Sequence, residues 1–134
     1  MLDVLIIDDS AAIRKILQRV LRQTGLSIGK VLEAGDGAEG LSALGFGATG
    51  RDNTDSSEAN VGLVLCDINM PNMDGLEFLR TLKSNIEWKD LPVVMVSTEG
   101  SQDKVLEAVG LGAAGYVRKP FTADQIKDKL TAIF

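Results

Sequence analysis

An α/β fold, one parallel sheet with helices on both faces, is predicted by three features of this chain. Short apolar runs rich in β-branched residues alternate with stretches of helical period. The runs are apolar at nearly every position, as strands buried on both faces require. A chemistry-bearing residue directly follows four of them: Asp8-Asp9, Asp67, Ser97 and Lys119. In open parallel sheets such strand ends share one crevice, so residues far apart in sequence become one constellation.

Each element has its own signal. Residues 4–7 (VLII) form the first strand. Ser10 stands as a helix cap, and Ile13, Ile16, Leu17, Val20 and Leu21 follow with helical spacing, closed by Gly25. Residues 30–34 are a second strand, broken by Gly35-Asp36-Gly37, and a short helix covers about 38–44. Val61–Cys66 is the third strand. Leu76, Leu79 and Leu82 mark a helix ending before Pro92, and residues 93–96 are the fourth strand. Ser101 is a candidate cap for a helix carrying Val105, Leu106, Val109 and Leu111. Gly115–Arg118 is a short fifth strand. Thr122 and Gln125 have capping-box spacing ahead of Ile126, Leu130, Ile133 and Phe134. Right-handed crossovers follow from this alternation.

With 134 residues, the chain is expected to be a single domain, and 45% hydrophobic content suffices for a core. A net charge of −5 leaves no basic stripe for nucleic acid. No run approaches a membrane span, and the first apolar run stops at two aspartates, unlike a signal peptide. A lone cysteine, Cys66, forms no internal disulfide and fits a reducing, cytoplasmic setting. The absence of histidine means that this chain cannot supply a phosphohistidine or a histidine base itself. Residues 45–60 (GFGATGRDNTDSSEAN) lack an apolar period and read as a long surface loop within the domain.

The strand-end residues point to phosphoryl chemistry. Clustered carboxylates repel one another unless a cation is present, and Mg²⁺ accepts such hard oxygen ligands while keeping several waters. Asp8, Asp9 and Asp67 would supply them, with a backbone carbonyl just after Asp67. A carboxylate can itself attack phosphorus. Neutralising the transferred group is then the main catalytic task, shared by the metal, the Lys119 ammonium and the Ser97 hydroxyl. Taken singly, each residue has a plainer role: Asp8-Asp9 as a helix cap, Asp67 in a turn, Lys119 as a solvated lysine, Ser97-Thr98 as a strand end. Their recurrence at successive strand ends favours the site.

Three segments resemble the receiver domains of two-component response regulators: LIIDDS at 5–10, CDINMPNMDG at 66–75 and GYVRKPF at 115–121. The resemblance spans the chain outside the 45–60 loop and is strongest to single-domain chemotaxis regulators. It implies a flavodoxin-like, doubly wound five-stranded parallel sheet, order 2-1-3-4-5, with five helices. It implies that Asp67 accepts the phosphoryl group from a sensor histidine kinase. Asp8 and Asp9 bind Mg²⁺ with Asp67 and the Asn69 carbonyl, and Lys119 pairs with the phosphoryl group. Ser97 is the switch hydroxyl and Tyr116 the aromatic switch. Asn69 and Glu99 tune dephosphorylation, and the Lys119–Pro120 bond is cis. Strand alternation points Ser97 and Thr98 in opposite directions, and the family pattern selects Ser97.

The resemblance further implies a non-enzymatic regulator, catalysing only its own phosphorylation and dephosphorylation. It would be monomeric and signal through the surface of the fourth helix, fifth strand and fifth helix. Its output partner would be a protein such as a flagellar motor switch protein, because no DNA-binding or catalytic segment follows. Three departures bear on that partner: Ile68 replaces an aromatic residue after the phosphoacceptor, Ser101-Gln102 replace lysines, and the 45–60 loop is long. Two alternatives stand beside this reading. One is a receiver excised from a larger regulator. The other is a small Mg²⁺-dependent phosphohydrolase using an aspartyl-phosphate, which would want an acid/base carboxylate where Asn69 stands.

Overall fold

The computed structural model describes residues 1–45, 61–98 and 102–134. Along the chain run β1 (Leu2–Ile7), α1 (Ala11–Arg22), β2 (Ile28–Ala34), α2 (Gly37–Ala43), β3 (Val61–Cys66), α3 (Gly75–Lys83), β4 (Val93–Ser97), α4 (Gln102–Gly110), β5 (Gly115–Arg118) and α5 (Ala123–Ile133). The sheet order is β2-β1-β3-β4-β5 with every pairing parallel. The chain moves outward from β1 to β2, then crosses back to β3 on the other side. That reversal opens a crevice at the carboxyl ends of β1 and β3.

Strand periodicity divides the core into two layers. Leu5, Ile7, Val64, Cys66 and Met95 face Leu41 of α2, Phe78, Leu79 and Leu82 of α3, and Ala108 of α4. Val4, Ile6, Leu63, Leu65, Val94, Val96 and Val117 face Leu17, Val20 and Leu21 of α1 and Ile126 and Leu130 of α5. Strands covered on both sides need apolar residues at successive positions, which explains the unbroken runs.

Helix starts follow the caps. Ser10, Asp36, Asp74 and Thr122 each accept a hydrogen bond from the backbone N–H three residues on. Thr122 and Gln125 form the reciprocal box, with bonds of 2.9 and 3.1 Å. Thr122→Ala should therefore lower stability by about 1 kcal/mol, read as a shift in the urea midpoint at constant slope. The expected cap Ser101 lies outside the described residues, as do positions 46–60 of the expected loop.

Some sequence expectations shift. β2 begins at Ile28 rather than at 30. α3 ends at Lys83, before Pro92 as expected, and the Lys83 ammonium donates to the carbonyls of Lys89 (2.8 Å) and Leu91 in the turns that follow. Burial lowers that lysine's pKa. In α1 the buried stripe is Leu17, Val20 and Leu21, leaving Ile16 40% exposed. α4 buries only Ala108, and Leu106 (59%) and Val109 (55%) stay exposed with Phe134 (51%) at the chain end. The apolar stripe of α4 is therefore wider than the surface it buries.

Candidate functional site

Main-chain bonds carry the ladders one step past the strands and fix where the site residues start. Asp8 N–H donates to the Ala34 carbonyl (3.0 Å), Asp67 N–H to Ile7 (2.9 Å) and Lys119 N–H to Ser97 (2.8 Å). Asp8, Asp67 and Lys119 are therefore each stitched to the neighbouring strand at its carboxyl end.

Their side chains meet. One carboxylate oxygen each from Asp8, Asp9 and Asp67 lies within 4.8 Å of the others. Lys119 Nζ donates to Asp8 Oδ2 at 2.7 Å and to Asp67 Oδ2 at 3.4 Å. Asp8 and Asp67 are buried, 1% and 6% exposed, whereas Asp9 is open to solvent. The second oxygens are also held: Asp8 Oδ1 accepts from Ser10 N–H at 2.9 Å and Asp67 Oδ1 from Ile68 N–H at 2.7 Å. Three carboxylates thus face one ammonium, a surplus of negative charge at a partly dry crevice. Such a donor set, all hard oxygen with one member open to water, fits a divalent cation of the magnesium type. Asp8, Asp9 and Asp67 are the side chains that could hold it.

The remaining predicted residues take other places. Ser97 ends β4, is fully buried, and meets Lys119 through the main chain; Thr98 beside it is exposed. Tyr116, in β5, is half-buried against the layer of α2, α3 and α4. Asn69 is exposed in the loop after Asp67. Glu99 lies outside the described residues. The Lys119–Pro120 bond is cis, as the resemblance implied. Cys66, directly before Asp67, is buried, and desolvation with the neighbouring carboxylates pushes its thiol pKa well up, so it is inert filling.

Sequence reasoning missed several supports. Arg14 of α1 donates to the Asp8 carbonyl and to Glu33 Oε1 (2.7 Å), tying the first aspartate to β2. Gly75 opens α3 hard against the site: a Cβ there would stand 2.0 Å from the Asp67 carbonyl oxygen. Asp36 accepts from Asn72 at 2.9 Å across the crevice rim. The Asp74-Gly75 pair carried a helix-start signal that could have flagged the close approach. The Arg14–Glu33 and Asp36–Asn72 contacts have no local signal, since they join residues 19 and 36 apart.

A doubly wound α/β domain with an acidic, lysine-bridged pocket at its topological switch point is thereby defined. The chain belongs to the response regulator receiver domain family, whose pattern matches residues 4–131. Phosphorylation-switched signalling is the function of that family. The chain is similar to the chemotaxis protein CheY of Pseudomonas aeruginosa, with 37% identity covering 98% of this chain and 94% of that one. It is also similar to CheY-3 of Vibrio cholerae, at 35% identity over 98% and 90%. Among solved structures it resembles Vibrio cholerae CheY4 with a TM-score of 0.80 and 30% identity, covering 100% of this chain and 99% of the other. A CheX–CheY–BeF₃–Mg²⁺ complex from Borrelia burgdorferi aligns with a TM-score of 0.81 and 26% identity, over 99% and 89% of the two chains. No helix among the described residues is long and apolar enough to cross a membrane.

Proposed function

We propose that Asp67 is the phosphoacceptor of a chemotaxis-type signalling switch, charged by a sensor histidine kinase and read by a downstream protein. The convergence of Asp8, Asp9 and Asp67 within 4.8 Å, with Lys119 paired to Asp8 and Asp67, carries this reading. In the transfer, an Asp67 carboxylate oxygen bonds to phosphorus. The bond from phosphorus to the kinase imidazole nitrogen breaks, and its electron pair stays on the ring. Bound at the three aspartates and the Asn69 carbonyl, Mg²⁺ would neutralise charge on the phosphoryl oxygens. Lys119 already lies 3.4 Å from Asp67, so its ammonium is in place to pair with the new dianion without crossing the crevice.

The readout follows from charge. A phosphoryl group adds a charge of about −1.5 to −2 and strong acceptor oxygens. Lys119 and the Ser97 hydroxyl are the donors proposed to follow it, with Tyr116 as the aromatic reporter on β5. Asn69 and Glu99 are the positions proposed to set how fast water removes the group. The switch works only through the difference in these bonds between its two states. The domain acts as a monomeric cytoplasmic regulator, and its output surface is α4, β5 and α5. There the exposed Leu106 and Val109 offer apolar contact to a partner such as a flagellar motor switch protein. The similarity to CheY proteins supports the chemotaxis assignment.

Magnesium titration tests the site directly. Mg²⁺ binds the folded chain and not the unfolded one, so it should raise the unfolding free energy by about 2.7 kcal/mol at a hundredfold excess over Kd. Asp9→Ala removes the solvent-facing ligand and should weaken Mg²⁺ severely while leaving the fold intact, because Asp9 is exposed. Equal Mg²⁺ affinity by calorimetry in wild type and Asp9→Ala would count against the metal assignment.

A further inference from the structure

We infer that Asp36 and Asn72 form a positioning clamp that sets the loop after Asp67, and with it Asn69, at the height that metal binding and phosphoryl hydrolysis require. The inference rests on the proposed phosphoacceptor and metal site and adds residues that contact neither.

The loop from Ile68 to Gly75 is pinned at its root, where Gly75 N–H donates to the Ile68 carbonyl at 2.8 Å. Met70 and Met73 pack against the core, which limits depth but, being non-directional, does not set the path of the main chain. Directional contacts at the far side come from the β2–α2 turn. Asp36 is 7% exposed and spends both oxygens: Oδ1 accepts from Glu39 N–H and Oδ2 from the Asn72 amide, each at 2.9 Å. Next to it, Gly37 N–H donates to the Met73 carbonyl at 2.9 Å, and a Cβ at Gly37 would meet that oxygen at 2.9 Å.

Asn72 reaches this contact from the left-handed region, at φ 64°, where asparagine is among the few tolerated side chains. Residue 72 thus combines an unusual backbone with a side chain that finds a buried carboxylate. The Asn72 amide, with the Glu39 and Ala38 N–H groups, holds the Asp36 carboxyl below the usual aspartate range. The same carboxylate caps α2, so the loop and the start of that helix are held as one piece. Asn69 is exposed, and its placement passes through the main chain between the Asp67 anchor and the clamp.

Three variants, two single and one double, separate the clamp from mere stability. Asn72→Gly keeps the left-handed backbone and deletes the amide. Asp36→Ser keeps a capping oxygen for α2 but cannot reach residue 72. The exchange of Asp36→Asn with Asn72→Asp keeps both a cap and a cross-loop bond. Calorimetry with Mg²⁺ alone, and phosphoryl lifetime after labelling with acetyl phosphate, are the readouts, with urea unfolding alongside. Each single variant should weaken Mg²⁺ about tenfold, the cost of losing an outer support of a metal ligand. Each should also change the lifetime several-fold. The double loss should add nothing further, and the exchange should restore wild-type values. A folded Asn72→Gly with wild-type Mg²⁺ affinity and lifetime overturns the clamp, as does a loss that the exchange does not repair. A wild-type chain that neither binds Mg²⁺ nor labels would instead overturn the proposed site.

Discussion

Asp67→Asn leaves the chain unlabelled by acetyl phosphate in the presence of Mg²⁺, while the wild type takes up a phosphoryl group. The change is nearly isosteric. An amide oxygen at residue 67 can still accept the Ile68 N–H that now donates at 2.7 Å. Lys119 keeps its 2.7 Å partner Asp8, so the crevice stays closed around its ammonium. What is lost is the anionic nucleophile, for which a neutral amide has no substitute. The other two aspartates stay in place, so residual labelling at either would show itself in this variant. Mass spectrometry of the intact protein reads the outcome, and labelling of Asp67→Asn at the wild-type level would sink the assignment.

Lys119→Ala should separate the chemistry from the signal. The Lys119 side chain is 13% exposed, and it faces carboxylates whose side chains are 2% and 8% exposed. Removing it leaves two buried anions without their cation, a change that costs about 3 kcal/mol in comparable buried pairs. A divalent cation at the same carboxylates should recover part of that loss. Stability measured in urea should accordingly depend on Mg²⁺ far more steeply in the variant than in wild type. Some phosphorylation should survive, because Asp67 and the acidic pair remain. The conformational response should not, since the ammonium that would follow the phosphoryl group is gone. Beryllofluoride with Mg²⁺ should shift backbone resonances of α4, β5 and α5 in wild type and leave them nearly unmoved in the variant. A stability loss indifferent to Mg²⁺ would make Lys119 a structural strut, and a full wild-type shift pattern would remove it from the switch.

The fold was legible because burial on both faces writes itself into sequence as unbroken apolar runs. On that basis β3 and β4 match the expected runs almost to the residue, whereas β1 starts two residues ahead of its apolar run, at Leu2. β2 was cut short, because Ile28 and Gly29 precede a lysine and give no apolar run. The stripe on α4 departs from expectation for a related reason: Leu106 and Val109 have the right spacing, but spacing reports that an apolar face exists and not how much of it is covered. Residues 46–60 and 99–101, with Glu99 and Ser101 among them, stay at the level of expectation.

By itself the sequence determined the alternation of strands and helices and the polar residues that close each strand. From these came the grouping of Asp8, Asp67 and Lys119 at one edge, because parallel strands must end on the same side. Tertiary structure decided the pairings that no local pattern encodes. Lys119 lies nearer to Asp8 than to Asp67, Arg14 holds the Asp8 carbonyl, Gly75 fits where a Cβ would strike the Asp67 carbonyl, and Asp36 reaches Asn72 across the crevice. The lysine and Asp36 contacts join segments far apart in the chain, and the Arg14 and Gly75 contacts join an element to the strand end before it; all are set by how the sheet and helices bring those segments together. Period and propensity describe only near neighbours along the sequence and carry no information about them.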